Sequence, residues 1–178
     1  MSENSYTIWF TGMPCSGKTT IASALFNELK SQGIRHIYHL DGDVVRSGLC
    51  NGLGFSILDR MENLHRISEV SRMMNEAGVL VLASFVSPDE QMRSMVKSTI
   101  PNLSMVYVKC SAEECEKRDV KGMWKKARMG EIKDFTGVDS EFQEPNDPDL
   151  ILDTINMSLE ECVEKSLALI SKLNIKQV

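Results

Sequence analysis

The residues Gly12-Met13-Pro14-Cys15-Ser16-Gly17-Lys18-Thr19 fit G-x-x-x-x-G-K-[ST], the Walker A phosphate loop, and directly follow a strand-like run from Tyr6 to Thr11. Residues of these types at this spacing bind polyphosphate. Glycines at both ends let the backbone wrap an anion closely enough for successive main-chain N–H groups to point at it. Lys18 adds a charge that reaches β and γ oxygens, and Thr19 offers a hydroxyl to Mg2+. The helix that follows, Thr20 to Lys30, turns its positive dipole end to the site. A chance match in a glycine-bearing turn is the alternative, and a strand before with a helix after argues against it.

A second group of chemical residues stands at Asp41-Gly42-Asp43, where the next strand-like run ends. Ligands of doubly wound sheets lie outside the carboxyl ends of the strands, so both carboxylates are expected to face the γ-phosphate. Asp43 is the candidate for orienting or deprotonating an acceptor hydroxyl, and Asp41 for the magnesium shell, directly or through water. Arg46 follows, and Arg60 with Asn63 lie at i, i+3 on a predicted helix, so all three converge on an anionic acceptor. Phe55, in the intervening glycine-rich loop, suits stacking on a nucleobase, with Phe135 on the opposite face; core packing is the alternative for both. Lys121, Lys125 and Lys126 are expected to neutralise charge spread over the transferring phosphoryl group.

The elements that must position these groups are legible in outline. Short runs rich in β-branched residues recur at Tyr6 to Thr11, His36 to Asp41, Val79 to Ser84, Met105 to Lys109 and Leu150 to Asp153, with helical patterns between them. That order predicts an α/β fold with a mainly parallel sheet flanked by helices. A helix over Asp59 to Ala77 is expected to start with Asp59 as N-cap and to stop at Gly78. A last amphipathic helix is announced by Ser158 and Glu161 as a capping box, with Leu159, Val163, Leu167, Ile170 and Leu173 on one face. Between Gly122 and Pro148 the pattern weakens to a polar stretch with a short helical piece near Trp124 to Met129, which predicts a mobile lid at about 119–148 within one domain spanning 1–178.

Bulk properties narrow the partners. A chain of 178 residues with 42% hydrophobic and 25% charged residues is globular. No apolar run approaches the roughly 20 residues that span a bilayer, and Met1 to Tyr6 lacks a signal-peptide pattern, so no membrane partner and a cytoplasmic location are expected. A net charge of −5 argues against a nucleic-acid partner and leaves an anionic small molecule to be gripped locally. Lys117 to Lys133 supplies such a patch, with seven basic residues against two acidic ones; a solvated helix face is the alternative. The five cysteines are odd in number and lack zinc spacing, so they are read as reduced thiols, Cys110 and Cys162 as core, with oxidant sensing by Cys15 as the less favoured alternative to a plain thiol. No histidine is assigned chemistry, and the lack of an N-K-x-D segment disfavours a GTP switch.

The strings LDGDVVRSGL, GLGFS, DRMEN, SFVSP and RDVKGMWKKARMGEIKDFTGVDS, in this order and spacing, resemble the adenylyl-sulfate kinase family over nearly the whole chain. The resemblance implies a P-loop kinase of three layers, ATP and Mg2+ as cofactors, and transfer of the γ-phosphate to the ribose 3′-hydroxyl of adenosine 5′-phosphosulfate (APS). It assigns Gly12 to Thr20, with Arg118, to ATP, and Asp43, Arg46, Phe55, Arg60, Asn63, Val86, Ser87, Lys121 and Phe135 to the acceptor pocket. Ser87 stands where the family is described as carrying a phosphoserine intermediate. Nothing in the sequence supplies it with an adjacent base, so direct in-line transfer with a contact role for Ser87 is the favoured reading. Dimers are implied too.

The chain departs from that family at Val44 for asparagine, His65 for arginine, Cys15 for a loop glycine, and Asp89-Glu90 where tyrosine or histidine then arginine are usual. Acidic residues there are expected to repel an anion. Two other readings stay open: a related kinase acting on the 3′-hydroxyl of a different 5′-modified nucleotide, and a regulatory ATP-binding module without catalysis.

Overall fold

The computed structural model describes residues 6–173. Five strands, β1 (Thr7–Thr11), β2 (Ile37–Asp41), β3 (Leu80–Ser84), β4 (Leu103–Lys109) and β5 (Leu150–Asp153), pair in parallel in the order β2-β3-β1-β4-β5. Every residue of β1 and β3 is buried, whereas edge strand β2 is buried only at Ile37 and Leu40. Central parallel strands are covered on both faces, which is why their sequences are almost continuously apolar.

Seven helices provide that cover: α1 (Lys18–Ser31), α2 (Gly42–Ser47), α3 (Ile57–Glu76), α4 (Glu90–Thr99), α5 (Ala112–Arg118), α6 (Met123–Arg128) and α7 (Leu159–Lys172). Successive strand residues point to opposite faces. Ile8, Phe10, Val106 and Leu152 therefore pack with Leu25 of α1 and Ile170 of α7, while Trp9, Val81, Ala83 and Met105 pack with Ile67 of α3 and Val96 of α4. The result is the three-layer α/β sandwich of P-loop kinases. Strand order reverses at β1, whose neighbours are β3 on one side and β4 on the other. Chain leaving the carboxyl ends of β1, β2, β3 and β4 thus borders one crevice.

Three boundaries differ from the expected ones by two residues or more. α3 starts at Ile57 rather than after Asp59, because the Ser56 hydroxyl accepts from the Asp59 N–H at 3.2 Å and donates to the Asp59 carboxylate at 2.7 Å. Ser56 is the cap and Asp59 its third-position partner, as in a capping box. α1 starts two residues early, at Lys18, because Gly17 takes a left-handed φ of 106° and opens the helix inside the phosphate loop. β4 starts at Leu103, two residues before the expected Met105. Gly78, at φ 83°, follows the end of α3 as expected. The Ser158/Glu161 capping box of α7 is present, and its apolar face packs on the core, with Leu159 more exposed than the rest.

Chain 119–148 holds α6 and, beyond it, no described helix or strand save a bridge between Thr136 and Ser140. Trp124, Ala127 and Phe135 form a small core with Cys110 and Cys115, against which Met13 and Cys15 of the phosphate loop pack. All five cysteines are free thiols. Among the described residues, no helix is long and apolar enough to cross a membrane.

Candidate active site

The phosphate loop leaves β1 at Gly12, where an added Cβ would lie 2.5 Å from the Val108 carbonyl oxygen, so only glycine fits. Cys15 takes φ 66°, a left-handed conformation that costs an ordinary residue about 1–2 kcal/mol. Lys18, 8% exposed, folds its ammonium onto the loop, donating to the carbonyls of Gly12 at 2.8 Å and Met13 at 2.6 Å and to the Ser16 hydroxyl at 3.4 Å. Burial pushes its pKa down to about 8.

Thr19 Oγ1 donates to Asp41 Oδ2 at 2.7 Å. The other oxygen of Asp41 caps α2, accepting from the Asp43 and Val44 N–H groups at 3.0 and 3.4 Å. A hydroxyl and a fixed carboxylate at the edge of a phosphate cradle are hard oxygen donors of the kind that suit Mg2+, whose other ligands are commonly water and phosphate oxygens. No cluster of three or more His, Cys, Asp or Glu able to hold a metal occurs among the described residues.

Across the crevice, Asp43 is largely exposed and forms an ion pair with Lys121, which reaches over from chain 119–148. The bond to Asp43 raises the pKa of Lys121. Arg46 donates to the carbonyls of Leu53 at 3.2 Å and Gly54 at 2.8 Å, and its guanidinium lies 4.7 Å from the Phe55 ring centre. Buried Arg60 lies 5.6 Å from the same ring, bonds the Phe55 carbonyl at 2.7 Å and also donates to the Asp134 carbonyl. Phe55 thus stands between two cations. Burial pushes both guanidiniums below the usual arginine value.

Asn63 is buried with its side-chain oxygen unpartnered. Phe135, expected in an exposed loop, is buried with Trp124 edge-on at 5.4 Å, and Asp139 accepts from the Asp134 and Phe135 N–H groups to fix the turn before it. Ser87 is buried at φ 45°, and its Oγ accepts from Trp9 Nε1 at 2.9 Å. Among the described residues no carboxylate or imidazole bonds that hydroxyl, and Ser87 lines the cavity.

A cavity of about 710 Å³ joins the two halves. Pro14, Cys15, Gly17, Lys18, Thr19 and Thr20 line one end, with Asp41 beside them. All nine acceptor-side residues, from Asp43 and Arg46 through Val86 and Ser87 to Phe135, line the other. Gly12, Met13 and Ser16 do not reach it: Gly12 backs onto Val108, Met13 packs against the Trp124 core, and Ser16 is buried. Arg118 lines the cavity but spends its guanidinium on Thr154, donating to the hydroxyl at 3.0 Å and the carbonyl at 2.9 Å, and on Glu114 at 3.2 Å.

Several expectations need correction. Lys125 and Lys126 point to solvent from α6 and do not line the cavity. Asp89 and Glu90 do not confront an anion either: Asp89 caps α4 through the Met92 N–H at 2.8 Å, and Glu90 pairs with Arg93 at 2.9 Å. Val44 and His65 are exposed outside the cavity wall. Sequence reasoning missed the turn after β5, where Thr154, Met157 and Leu159 line the cavity. Thr154 also donates to the Ser16 carbonyl at 3.0 Å, tying this turn to the phosphate loop. The one available signal was its position after a strand's carboxyl end.

Comparison with known proteins agrees with this geometry. The family described as adenylylsulphate kinase matches residues 4–153. An adenylyl-sulfate kinase of Oceanobacillus iheyensis is 49% identical over 92% of this chain and 82% of its own, and that of Vibrio cholerae is 46% identical over 96% and 80%. The solved APS kinase of Mycobacterium tuberculosis in complex with AMPPNP and APS superposes with a TM-score of 0.90 at 38% identity, covering 94% of this chain and 98% of that one. A shikimate kinase of Aquifex aeolicus, 19% identical with a TM-score of 0.53, shares the fold alone. With its phosphate loop, its opposed carboxylate and a family match running from the first strand to the last, the chain belongs to the adenylylsulphate kinase family.

Proposed function

We propose that this chain transfers the γ-phosphoryl group of ATP to the ribose 3′-hydroxyl of APS, yielding 3′-phosphoadenosine 5′-phosphosulfate and ADP. The observation that carries the reading is one cavity with the phosphate loop at one end and Asp43, Arg46, Arg60 and Asn63 at the other. Loop amides and Lys18 bind the triphosphate once Lys18 leaves the Gly12 and Met13 carbonyls. Asp43 accepts the hydroxyl proton as the sugar oxygen bonds to the γ-phosphorus and the bond to the bridging oxygen breaks. Lys121, released from Asp43, brings its charge to the reacting groups. Arg46 and Arg60 hold Phe55 against the acceptor's base and supply positive charge to its anionic tail. Asn63 presents an unpaired acceptor oxygen to it. Thr19 and Asp41 would hold Mg2+, which when bound would supply positive charge to the phosphate oxygens.

Chain 119–148 acts as a lid, the whole is one kinase domain, and the protein works in the cytoplasm as a dimer. A relative from Thiobacillus denitrificans, 25% identical, is described as a hexameric APS kinase, which favours self-association without fixing its number; mass measurement in solution tests the dimer. The acceptor is tested by ADP release with a panel of 5′-modified nucleotides. Rapid consumption of APS is expected. Turnover of another member with APS untouched would refute the acceptor and leave the kinase chemistry standing, and no turnover with any member would favour a binding module.

A further inference from the structure

Arg93 belongs to none of the groups assigned above, does not line the cavity, and is 1% exposed. A guanidinium is seldom taken out of water without full pairing. Here it joins three segments. It donates to Glu90 Oε2 from Nε at 3.0 Å and from one terminal nitrogen at 2.9 Å. The other terminal nitrogen donates to the Ser87 carbonyl at 2.8 Å, and the Glu144 carbonyl accepts at 3.4 Å. The Phe142 ring centre lies 6.0 Å from it and stacks in turn on Tyr107.

Further bonds run between the same segments. The Gln143 N–H donates to the Pro88 carbonyl at 2.8 Å, and the Glu90 N–H donates to the Gln143 side chain at 3.3 Å. Residues 142–144 lie in the C-terminal part of the irregular chain that carries Phe135, whereas Val86 and Ser87 belong to the acceptor wall. Ser87 holds a left-handed backbone that a non-glycine residue keeps only when its surroundings enforce it.

We propose that Arg93, with Glu90, is a positioning residue that fastens the C-terminal root of the lid to the Ser87 turn, so that the acceptor wall and the lid keep one fixed spacing. Arg93 and Glu90 bond no residue of the phosphate loop, which meets the fastened turn through the Gly12 N–H on the Val86 carbonyl at 3.4 Å. Loss of the clasp therefore weakens acceptor use and frees the lid root while sparing ATP binding. A residue with a merely structural part would lower stability and affect both substrates alike.

The test compares Arg93→Met, Arg93→Lys and Glu90→Gln with the parent chain, reading KM for APS, Kd for ATP without acceptor, and the rate of trypsin cleavage within 119–148. Arg93→Met is expected to raise the APS KM by about tenfold to a hundredfold, the scale of a misplaced contact wall. ATP Kd should stay unchanged and lid cleavage should quicken. Arg93→Lys, which keeps the charge but loses the fork, should fall between. If Arg93→Met does not fold, Glu90→Gln decides by the same readouts, with a smaller shift in the same direction. An unchanged APS KM, an equal loss of ATP affinity, or unchanged lid cleavage in a folded variant would overturn the proposal. The inference rests on APS being the acceptor only for the KM readout. Should the parent chain ignore APS, cleavage and ATP affinity, which need no acceptor, still decide it.

Discussion

The two ends of the cavity are built differently. The phosphate end is one short loop whose bonds run to its own carbonyls or to the adjoining strand ends, as Lys18 and Thr19 illustrate. The acceptor end is assembled from α2, the Phe55 loop, α3, the Ser87 turn and chain 119–148, and its fastenings join residues far apart in the chain, such as Arg60 to Asp134 and Lys121 to Asp43. A local cradle can be read from spacing because its parts share one stretch of backbone. A convergent wall becomes visible only when the fold brings its pieces together.

Replacement of Lys18 by alanine should show the largest effect, a fall in kcat of about a thousandfold or more, the scale on which a cation stabilises a transferring phosphoryl group. Single-turnover kinetics at saturating ATP would check it, and a change confined to KM would place Lys18 outside the chemical step. Asp43→Ala should lower turnover by about 10²–10⁴-fold while leaving ATP affinity intact, since the base acts on the acceptor alone. Equal turnover by that variant would break the division between the two ends.

A smaller effect concerns pH. Lys18 titrates near 8 when folded without ligand and near 10.5 when unfolded, so above pH 8 the unfolded chain binds the extra proton. Stability of the ligand-free protein relative to Lys18→Met should therefore rise with pH between these values, by on the order of 3 kcal/mol at most. Denaturant titrations at pH 7.5 and 10 would show it, and a difference of opposite sign would mean the buried ammonium is fully compensated. The smallest change is expected for Cys15→Gly, which relieves a left-handed backbone and should stabilise by about 1 kcal/mol, less whatever packing under Trp124 is lost. A lowered melting temperature would show that the thiol's contacts with the lid core outweigh the strain.

Legibility followed the same division. Strands β1 and β3 stand out because burial on both faces makes them apolar throughout. The start of α3 was misjudged because Ser56 and Asp59 are both good caps, and only their mutual bonding shows which one begins the helix. Lys121 was set apart from Lys125 and Lys126 by the family resemblance and not by the charge cluster; it precedes the short α6 and lines the cavity, whereas the other two lie on that helix's solvent face. Glu90 read as a repulsive charge in isolation, although its partner Arg93 lay three residues away, a spacing that suits helical pairs. Thr154 carried no periodic or motif signal, since its contribution comes from bonds to Ser16 and Arg118.

The Asp43–Lys121 pair has one more consequence. With Lys121 bonded to it, the Asp43 carboxylate is engaged and not free to orient a stray water, so the resting protein should spare its nucleotide from futile hydrolysis until a sugar alcohol displaces the lysine. Lys121→Met is expected to show a faint acceptor-independent ATPase, measurable as inorganic phosphate release, and its absence would mean that the guard lies elsewhere. Thrift, on this view, depends on the same contact that must open for turnover.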